Sequence, residues 1–321
     1  MRKQGVHLEH IESLRAVAAL MVLAFHFISF SDTTGPLIGN ESIRRYSEFG
    51  AQGVELFYII SGFVIYFSLT NTSYGFKHYP KYLLKRIMRI FPPFWGTILL
   101  ICITFLFWHE PFPYSASQLF QNATLTVDLF GNTGWMNPIF VTLKVEFMFY
   151  LVIGLLVVPM KMTSWSYGIT VSLAMLVMCY FYSVDLIHNI PYFLIGIACC
   201  EIYKERQVVL NYLILAACFI FLYVVFPPED LAISVIGTVF LLWIPLTNRW
   251  LKQIGRFSYS LYLTHGVSGG MFLFFCKNQE YIDLNVWIYI AMAVCGALVF
   301  AYVYYRLLEE KAMHWSKKIR Y

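Results

Sequence analysis

Residues 51–70 read AQGVELFYIISGFVIYFSLT, a run whose single charged residue is Glu55. At ~1.5 Å of helical rise per residue, a stretch of this length covers a hydrocarbon layer of ~30 Å. Similar runs flank it at 14–31, 94–108, 138–158, 165–182, 190–203, 209–226, 231–247, 257–276 and 285–306. The chain is therefore expected to be all-α, a polytopic helical membrane protein of about ten spans. Composition agrees: 59% of the 321 residues are hydrophobic and 13% charged, against roughly 45–50% and about 25% in a soluble domain. An ordinary aqueous core is excluded.

Charge supplies an orientation. With the amino terminus inside, the inner segments hold Arg2, Lys3 and Arg15, then Lys77, Lys81, Lys85, Arg86 and Arg89, then Lys161, Lys204, Arg206, Arg249, Lys252 and Arg256, and finally Arg306, Lys311, Lys317, Lys318 and Arg320. The outer segments hold Arg44, Arg45 and Lys277. The positive-inside rule then puts both termini in the cytoplasm. The net charge of +5 follows from that bias and needs no nucleic acid as partner.

The stretches 32–50, 71–93 and 109–137 are too short to fold alone, so residues 1–321 are expected to form one transmembrane domain with no appended soluble domain. The first run, preceded by Arg2 and Lys3, resembles a signal peptide. Arg15 and His26 within it argue for a retained helix. Cys102, Cys179, Cys199, Cys200, Cys218, Cys276 and Cys295 all fall in apolar runs without metal-ligand spacing, and read as small buried side chains. No metal is expected.

The charges kept inside the spans carry the functional argument, because ionisable groups at membrane depth are costly. Arg15 and His26 are eleven residues apart, about three helical turns, and so share one face ~16 Å apart along the axis. His26 suits either a helix–helix hydrogen bond or the abstraction of a proton. Lys144 and Glu146, two residues apart, point to different faces and must find separate partners. Helix rise puts Glu146 ~18 Å, His265 ~12 Å and Glu55 ~22 Å from the inner ends of their spans. With His26 at mid-depth, these groups are expected to share one polar cavity.

Two further features stand out. Ser61-Gly62 interrupts the second span, and a glycine there lets a neighbouring helix approach closely. Lys85-Arg86-Ile87-Met88-Arg89 precedes Pro92-Pro93, and Arg86 with Arg89 would present two guanidinium forks on one side, a geometry suited to phosphate. On spacing alone, anchoring to anionic lipid headgroups is the simpler reading of that pair.

Five blocks in order resemble the acyltransferase-3 family of membrane-bound acyltransferases. They are Glu12-Ser13-Leu14-Arg15 with His26 eleven residues after the arginine, Gly53 to Phe63 (GVELFYIISGF), Arg86-Ile87-Met88-Arg89, Leu143-Lys144-Val145-Glu146-Phe147, and Ser258 to His265 (SYSLYLTH). The resemblance implies ten helices in a bacterial inner (plasma) membrane. It implies transfer of an acyl group, most often acetyl, from acyl-coenzyme A to a surface glycan such as O-antigen, capsule or exopolysaccharide, or to a lipid-linked sugar. Residue by residue it implies His26 as base, Arg15 as its partner near the donor, Glu146 as a supporting carboxylate, and Arg86 with Arg89 as donor contacts. Ser61, Tyr262, His265 and Lys144 are candidate cavity-lining residues. Lys144 departs from the family's pattern, where a small or polar residue is usual.

Acyl transfer to a hydroxyl needs a base with a pKa near ambient pH. With no strand expected to carry a nucleophile elbow, direct transfer is simpler than an acyl-enzyme. The expected scheme has His26 taking the hydroxyl proton while Glu146 or Glu55 orients the imidazole. The rival reading, a transporter or flippase for a lipid-linked sugar or small anion, would call for internal repeat symmetry, which the sequence does not show.

Overall fold

Among the described residues every regular element is a helix. The computed structural model describes residues 2–29, 41–107, 111–129, 134–181, 185–278 and 286–320. Helix α1 (Arg2–Ala24) runs on through a π-helical turn, Phe25–Ser29. Then come α2 (Glu41–Glu48), α3 (Gly53–Thr70), α4 (Tyr79–Phe107), α5 (Ala116–Ala123), α6 (Ile139–Met162), α7 (Ser164–Phe181), α8 (Asp185–Tyr203), α9 (Val208–Val225), α10 (Pro228–Leu242) and α11 (Arg249–Arg256). A second π turn, Gly266–Gly270, separates α12 (Ser258–Thr264) from α13 (Met271–Asn278), and a third, Tyr305–Glu309, joins α14 (Val286–Tyr304) to α15 (Glu310–Lys318).

Among the described residues seven helices are long and apolar enough to cross a membrane: His10–Ile28, Glu41–Thr70, Phe76–Phe107, Ile139–Met162, Asp185–Tyr203, Val208–Val225 and Val286–Lys318. The other three expected spans also fall on helices. The run at 165–182 lies on α7, with an apolar stretch of Ser164–Val177. The run at 231–247 lies on α10, which stops at Leu242, and that at 257–276 is divided by the second π turn. Large apolar side chains face outward along these helices, among them Ile169 and Leu173 on α7 and Val209, Leu213, Ile220 and Val224 on α9. Water would not tolerate so continuous an apolar surface, and a bilayer matches it.

The expected span at 94–108 needs extending. Helix α4 starts at Tyr79 and runs through Pro92 and Pro93, so Arg86 and Arg89 sit on a spanning helix rather than in a loop. Proline cannot donate to the carbonyl four residues back, which ordinarily ends a helix. The carbonyls left without a helical donor are those of Met88 and Arg89, and distant side chains bond two carbonyls beside them. The Tyr259 hydroxyl donates to the Ile90 carbonyl at 2.9 Å, and the Tyr304 hydroxyl donates to that of Pro93. Partners on neighbouring helices are what make interior prolines tolerable at membrane depth.

At the centre stands α3, buried on nearly every side, with its most extensive packing against α8. Small residues set that contact. A Cβ on Gly62 would lie 2.3 Å from the Phe193 carbonyl, and one on Gly196 would lie 2.1 Å from that of Ile59. The close approach anticipated at Ser61-Gly62 is thus made, and from both sides. Around α3 pack α1, α6 and α10. Basic ends gather where α3 finishes: Lys161 donates to the Thr72 carbonyl at 3.1 Å, and Lys204 donates to the Thr70 hydroxyl. His10 ties the start of the first span to the connection after α10. The Leu246 N–H donates to its Nδ1 at 2.6 Å, and its Nε2 meets the Phe240 carbonyl.

Candidate functional site

A cavity of about 90 Å³ opens between α1, α3, α4, α6, α12 and the third π turn. A water needs at least ~10–15 Å³ of such space, so this one has room for several. Three guanidinium groups line it, those of Arg15, Arg86 and Arg89, together with two carboxylates, those of Glu146 and Glu309. Ser61, Thr142, Tyr58, Tyr150, Tyr259 and Tyr262 supply hydroxyl groups. The remaining wall is apolar, from residues such as Phe57 and Ile90.

Each charge is positioned by a local reason. Arg86 and Arg89 lie three residues apart on α4, nearly one turn, and so reach the same cavity. The Arg86 guanidinium sits 5.3 Å from the Tyr82 ring centre and 5.6 Å from that of Tyr150, flanked by two aromatic faces. Glu146 accepts from the Ser61 hydroxyl at 2.6 Å across to α3, and from the Tyr150 hydroxyl one turn along α6. Glu309 is buried and accepts from Ser260 twice, from its backbone N–H at 3.0 Å and its hydroxyl at 2.5 Å. That N–H belongs to the first turn of α12, where helical donors lack partners and a negative charge is favoured.

Two of the arginines are only partly satisfied. Nε of Arg15 and Nε of Arg86 are buried with no hydrogen-bond partner. A buried guanidinium N–H without an acceptor is costly. With three cations against two anions on the cavity wall, the site is suited to an added anion.

The expected cavity residues divide. Arg15, Arg86, Arg89, Glu146, Ser61 and Tyr262 are on its wall. His26, His265, Glu55 and Lys144 are not, so the expectation that His26, Glu55, Glu146 and His265 share one cavity is corrected. Equal depth does not fix direction around a helix. Glu55 faces Asp230 on α10, and the Gln52 amide, turned so that its nitrogen faces both acids, donates to Glu55 at 3.0 Å and to Asp230 at 2.7 Å. Lys144 forms ion pairs with Asp128 and Asp185, which account for this unusual residue by structure. Its Nζ also lies 5.6 Å from the Trp135 ring centre.

His26 and His265 instead face each other just beyond the cavity, with ring centres 4.8 Å apart. Tyr262 stands between this pair and the arginines. Its hydroxyl is hydrogen-bonded to that of Thr142, and its ring centre lies 5.7 Å from Phe57 and 6.2 Å from His265. Four residues of the Ser258 to His265 block thereby have contacts that suit them to the site: Tyr259 bonds the Ile90 carbonyl beside the α4 prolines, Ser260 holds Glu309, Tyr262 closes the cavity and His265 meets His26.

Sequence reasoning missed Glu309, Tyr150 and Tyr259. Glu309 falls beyond the span expected to end at 306, and the π turn that swings it inward leaves no mark in hydrophobic periodicity. Tyr150 could have been found, since it lies one turn from Glu146. Among the described residues no three His, Cys, Asp or Glu side chains come together to hold a metal ion. Of the cysteines, Cys295 is exposed and Cys102 half-buried, while Cys199, Cys200, Cys218 and Cys276 are buried as expected; the Cys179 side chain lies outside the described residues.

Residues 8–306 match a family model described as an acyltransferase domain. No curated protein and no solved structure matches the chain.

Proposed function

The chain belongs to the acyltransferase-3 family, whose acyltransferase domain takes in residues 8–306, and on that premise we propose that this multi-pass membrane acyltransferase moves an acetyl group from acetyl-coenzyme A to a hydroxyl of a cell-surface glycan. The observation that carries the donor is the convergence of Arg15, Arg86 and Arg89 on one buried cavity, with two guanidinium N–H groups still seeking an acceptor. Charge-assisted bonds from planar guanidinium forks are the natural partners of phosphate oxygens. Coenzyme A brings several phosphates and a long, thin arm ending in the thioester. A cavity of about 90 Å³ admits part of that molecule, not all of it.

The positive-inside bias supports a reading in which both termini and the arginine end of the bundle face the cytoplasm of a bacterial inner membrane, the side on which coenzyme A is found. His26 lies ~16 Å farther along α1 than Arg15. A donor anchored by phosphate at the arginines would thread its arm past Thr142 and Tyr262 toward His26. There the acceptor hydroxyl oxygen attacks the thioester carbonyl carbon while its proton passes to His26. The carbon–sulfur bond then breaks, and the thiolate takes the proton back from His26, leaving an ester and a free thiol.

Glu146 has a different role from the one expected of it. Its partners are Ser61 and Tyr150 on the cavity wall, so it serves as a counter-charge to the arginines. Family membership sets aside the transporter reading. Mass analysis of surface glycans from cells with and without the protein tests the proposal. Loss of acetyl groups from one glycan in the deficient cells is expected; an unchanged glycan profile would overturn the acceptor class.

A further inference from the structure

The second histidine of the pair has no role in that scheme, yet it is closely held. His265 is buried, 2% exposed, and its Nδ1 faces the Tyr262 carbonyl at 2.8 Å on its own helix. A carbonyl can only accept, so Nδ1 carries the proton and Nε2 carries the lone pair. That Nε2 is buried and has no hydrogen-bond partner. A buried acceptor left bare costs free energy, and its persistence asks for a donor at some stage of the working cycle.

The surroundings indicate which donor. Of the rings around His265, that of His26 is nearest at 4.8 Å, with Tyr262 at 6.2 Å and Phe27 at 6.3 Å. The Tyr262 hydroxyl is engaged with Thr142, and Phe27 has no polar atom on its side chain. An N–H to N bond of ordinary length between two imidazoles puts their ring centres about 5 Å apart. The rings are therefore already at bonding separation, and turning one of them would suffice.

The backbone on both sides is irregular in a matching way. His26 sits inside the π turn Phe25–Ser29, and His265 immediately precedes the π turn Gly266–Gly270. The two turns touch, with the Phe27 ring packed so closely that a Cβ on Gly269 would lie 2.5 Å from it and 2.6 Å from the Ala293 carbonyl. Single π turns within α-helices recur at functional sites. Here one imidazole lies inside a π turn, the other directly before one, and the two turns are in contact.

We infer that His265 is a positioning residue for His26, its Nε2 accepting an N–H of the His26 imidazolium formed when the acceptor hydroxyl gives up its proton. This rests on the proposal that His26 is the base, and it adds no proton transfer of its own. The proton taken from the hydroxyl still leaves on the coenzyme A thiol. His265 fixes which edge of the His26 ring is turned to the reaction and steadies the ring while it is charged.

Two substitutions test this, because each amide reproduces one edge of imidazole. His265→Asn keeps a donor for the Tyr262 carbonyl but leaves nothing at the Nε2 position, whereas His265→Gln can put an acceptor oxygen there. Transfer is measured from radiolabelled acetyl-coenzyme A, with membranes of the producing cells supplying the acceptor and purified variants compared at equal amounts of folded protein. The asparagine variant should lose on the order of 100-fold in kcat, the scale of assistance to an acid–base group, with donor KM within about twofold. The glutamine variant should stand at least roughly tenfold above it. Equal losses in both variants, or an asparagine variant close to wild type, would overturn the inference. His26→Ala run in parallel separates the two levels: if it transfers normally, the base assignment itself fails; if it is inactive while His265→Asn is normal, only the role of His265 fails.

Discussion

Ser61 on α3 donates its hydroxyl to Oε1 of Glu146 on α6 at 2.6 Å, at the wall of the arginine cavity. Tyr150 donates to the same oxygen, so the carboxylate is held in place from two sides. Glu146→Gln retains an acceptor for both hydroxyl groups while removing the charge. The donor phosphates then meet three guanidinium groups opposed by Glu309 alone. Donor KM should fall roughly fivefold, about 1 kcal/mol, and kcat should fall as the coenzyme A product leaves more slowly. Steady-state kinetics with coenzyme A as product inhibitor check this. A rise in KM would contradict the counter-charge role.

Arg86 and Arg89 should act on donor binding rather than on the chemical step. Their contacts lie far from the reacting carbon and hold ground and transition states alike. Replacing both with alanine should raise donor KM roughly 10- to 100-fold, the range of hydrogen bonds to charged groups, with a smaller change in kcat. High salt should narrow the gap between variant and wild type by screening the phosphate charge. An unchanged KM would contradict the donor-binding role.

Lys144 should behave as a structural residue. Its side chain is 10% exposed, while its partners Asp128 and Asp185 are half exposed at 50% and 51%. Solvent screens such pairs, so Lys144→Met should cost about 1 kcal/mol or less, lowering the melting temperature by a few degrees without moving donor KM. Inactivity at an unchanged melting temperature would instead place Lys144 in the reaction.

The α3–α8 contact should tolerate no added methyl group. Gly62→Ala would press a Cβ onto the Phe193 carbonyl, 2.3 Å away. Backbone cannot yield as a side chain can, and overpacking of this kind costs typically ~1–3 kcal/mol. Gly75→Ala, with nothing within 4 Å of its Cβ, is the matched control. Thermal unfolding in detergent should separate the two, and equal melting temperatures would contradict the packing argument.

The apolar runs, the close approach at Gly62 and the pairing of Arg86 with Arg89 were legible because each depends on one helix and its periodicity. What escaped depends on two. Depth counting put Glu55 and Glu146 at similar heights, but height says nothing of direction, and Glu55 turns to Asp230 while Glu146 turns to the arginines. The start of α4 was hidden because Pro92-Pro93 signals an ending, whereas the helix runs through both prolines and is bonded beside them by Tyr259 and Tyr304 from far along the chain. The nearness of His26 and His265 agrees with their expected depths, while Glu309 was hidden by the π turn Tyr305–Glu309, which adds a residue to a turn without altering composition.

The central claim is that His26 removes a proton from an acceptor while the arginine cavity holds the donor. It is tested most directly by comparing wild type with His26→Ala for transfer of radiolabelled acetyl groups from acetyl-coenzyme A, alongside coenzyme A binding to the same preparations. The account predicts transfer by wild type, no detectable transfer by His26→Ala, and coenzyme A affinity unchanged within about twofold, since the base lies ~16 Å from the phosphate anchor along α1. Transfer by His26→Ala at a rate near wild type would contradict it.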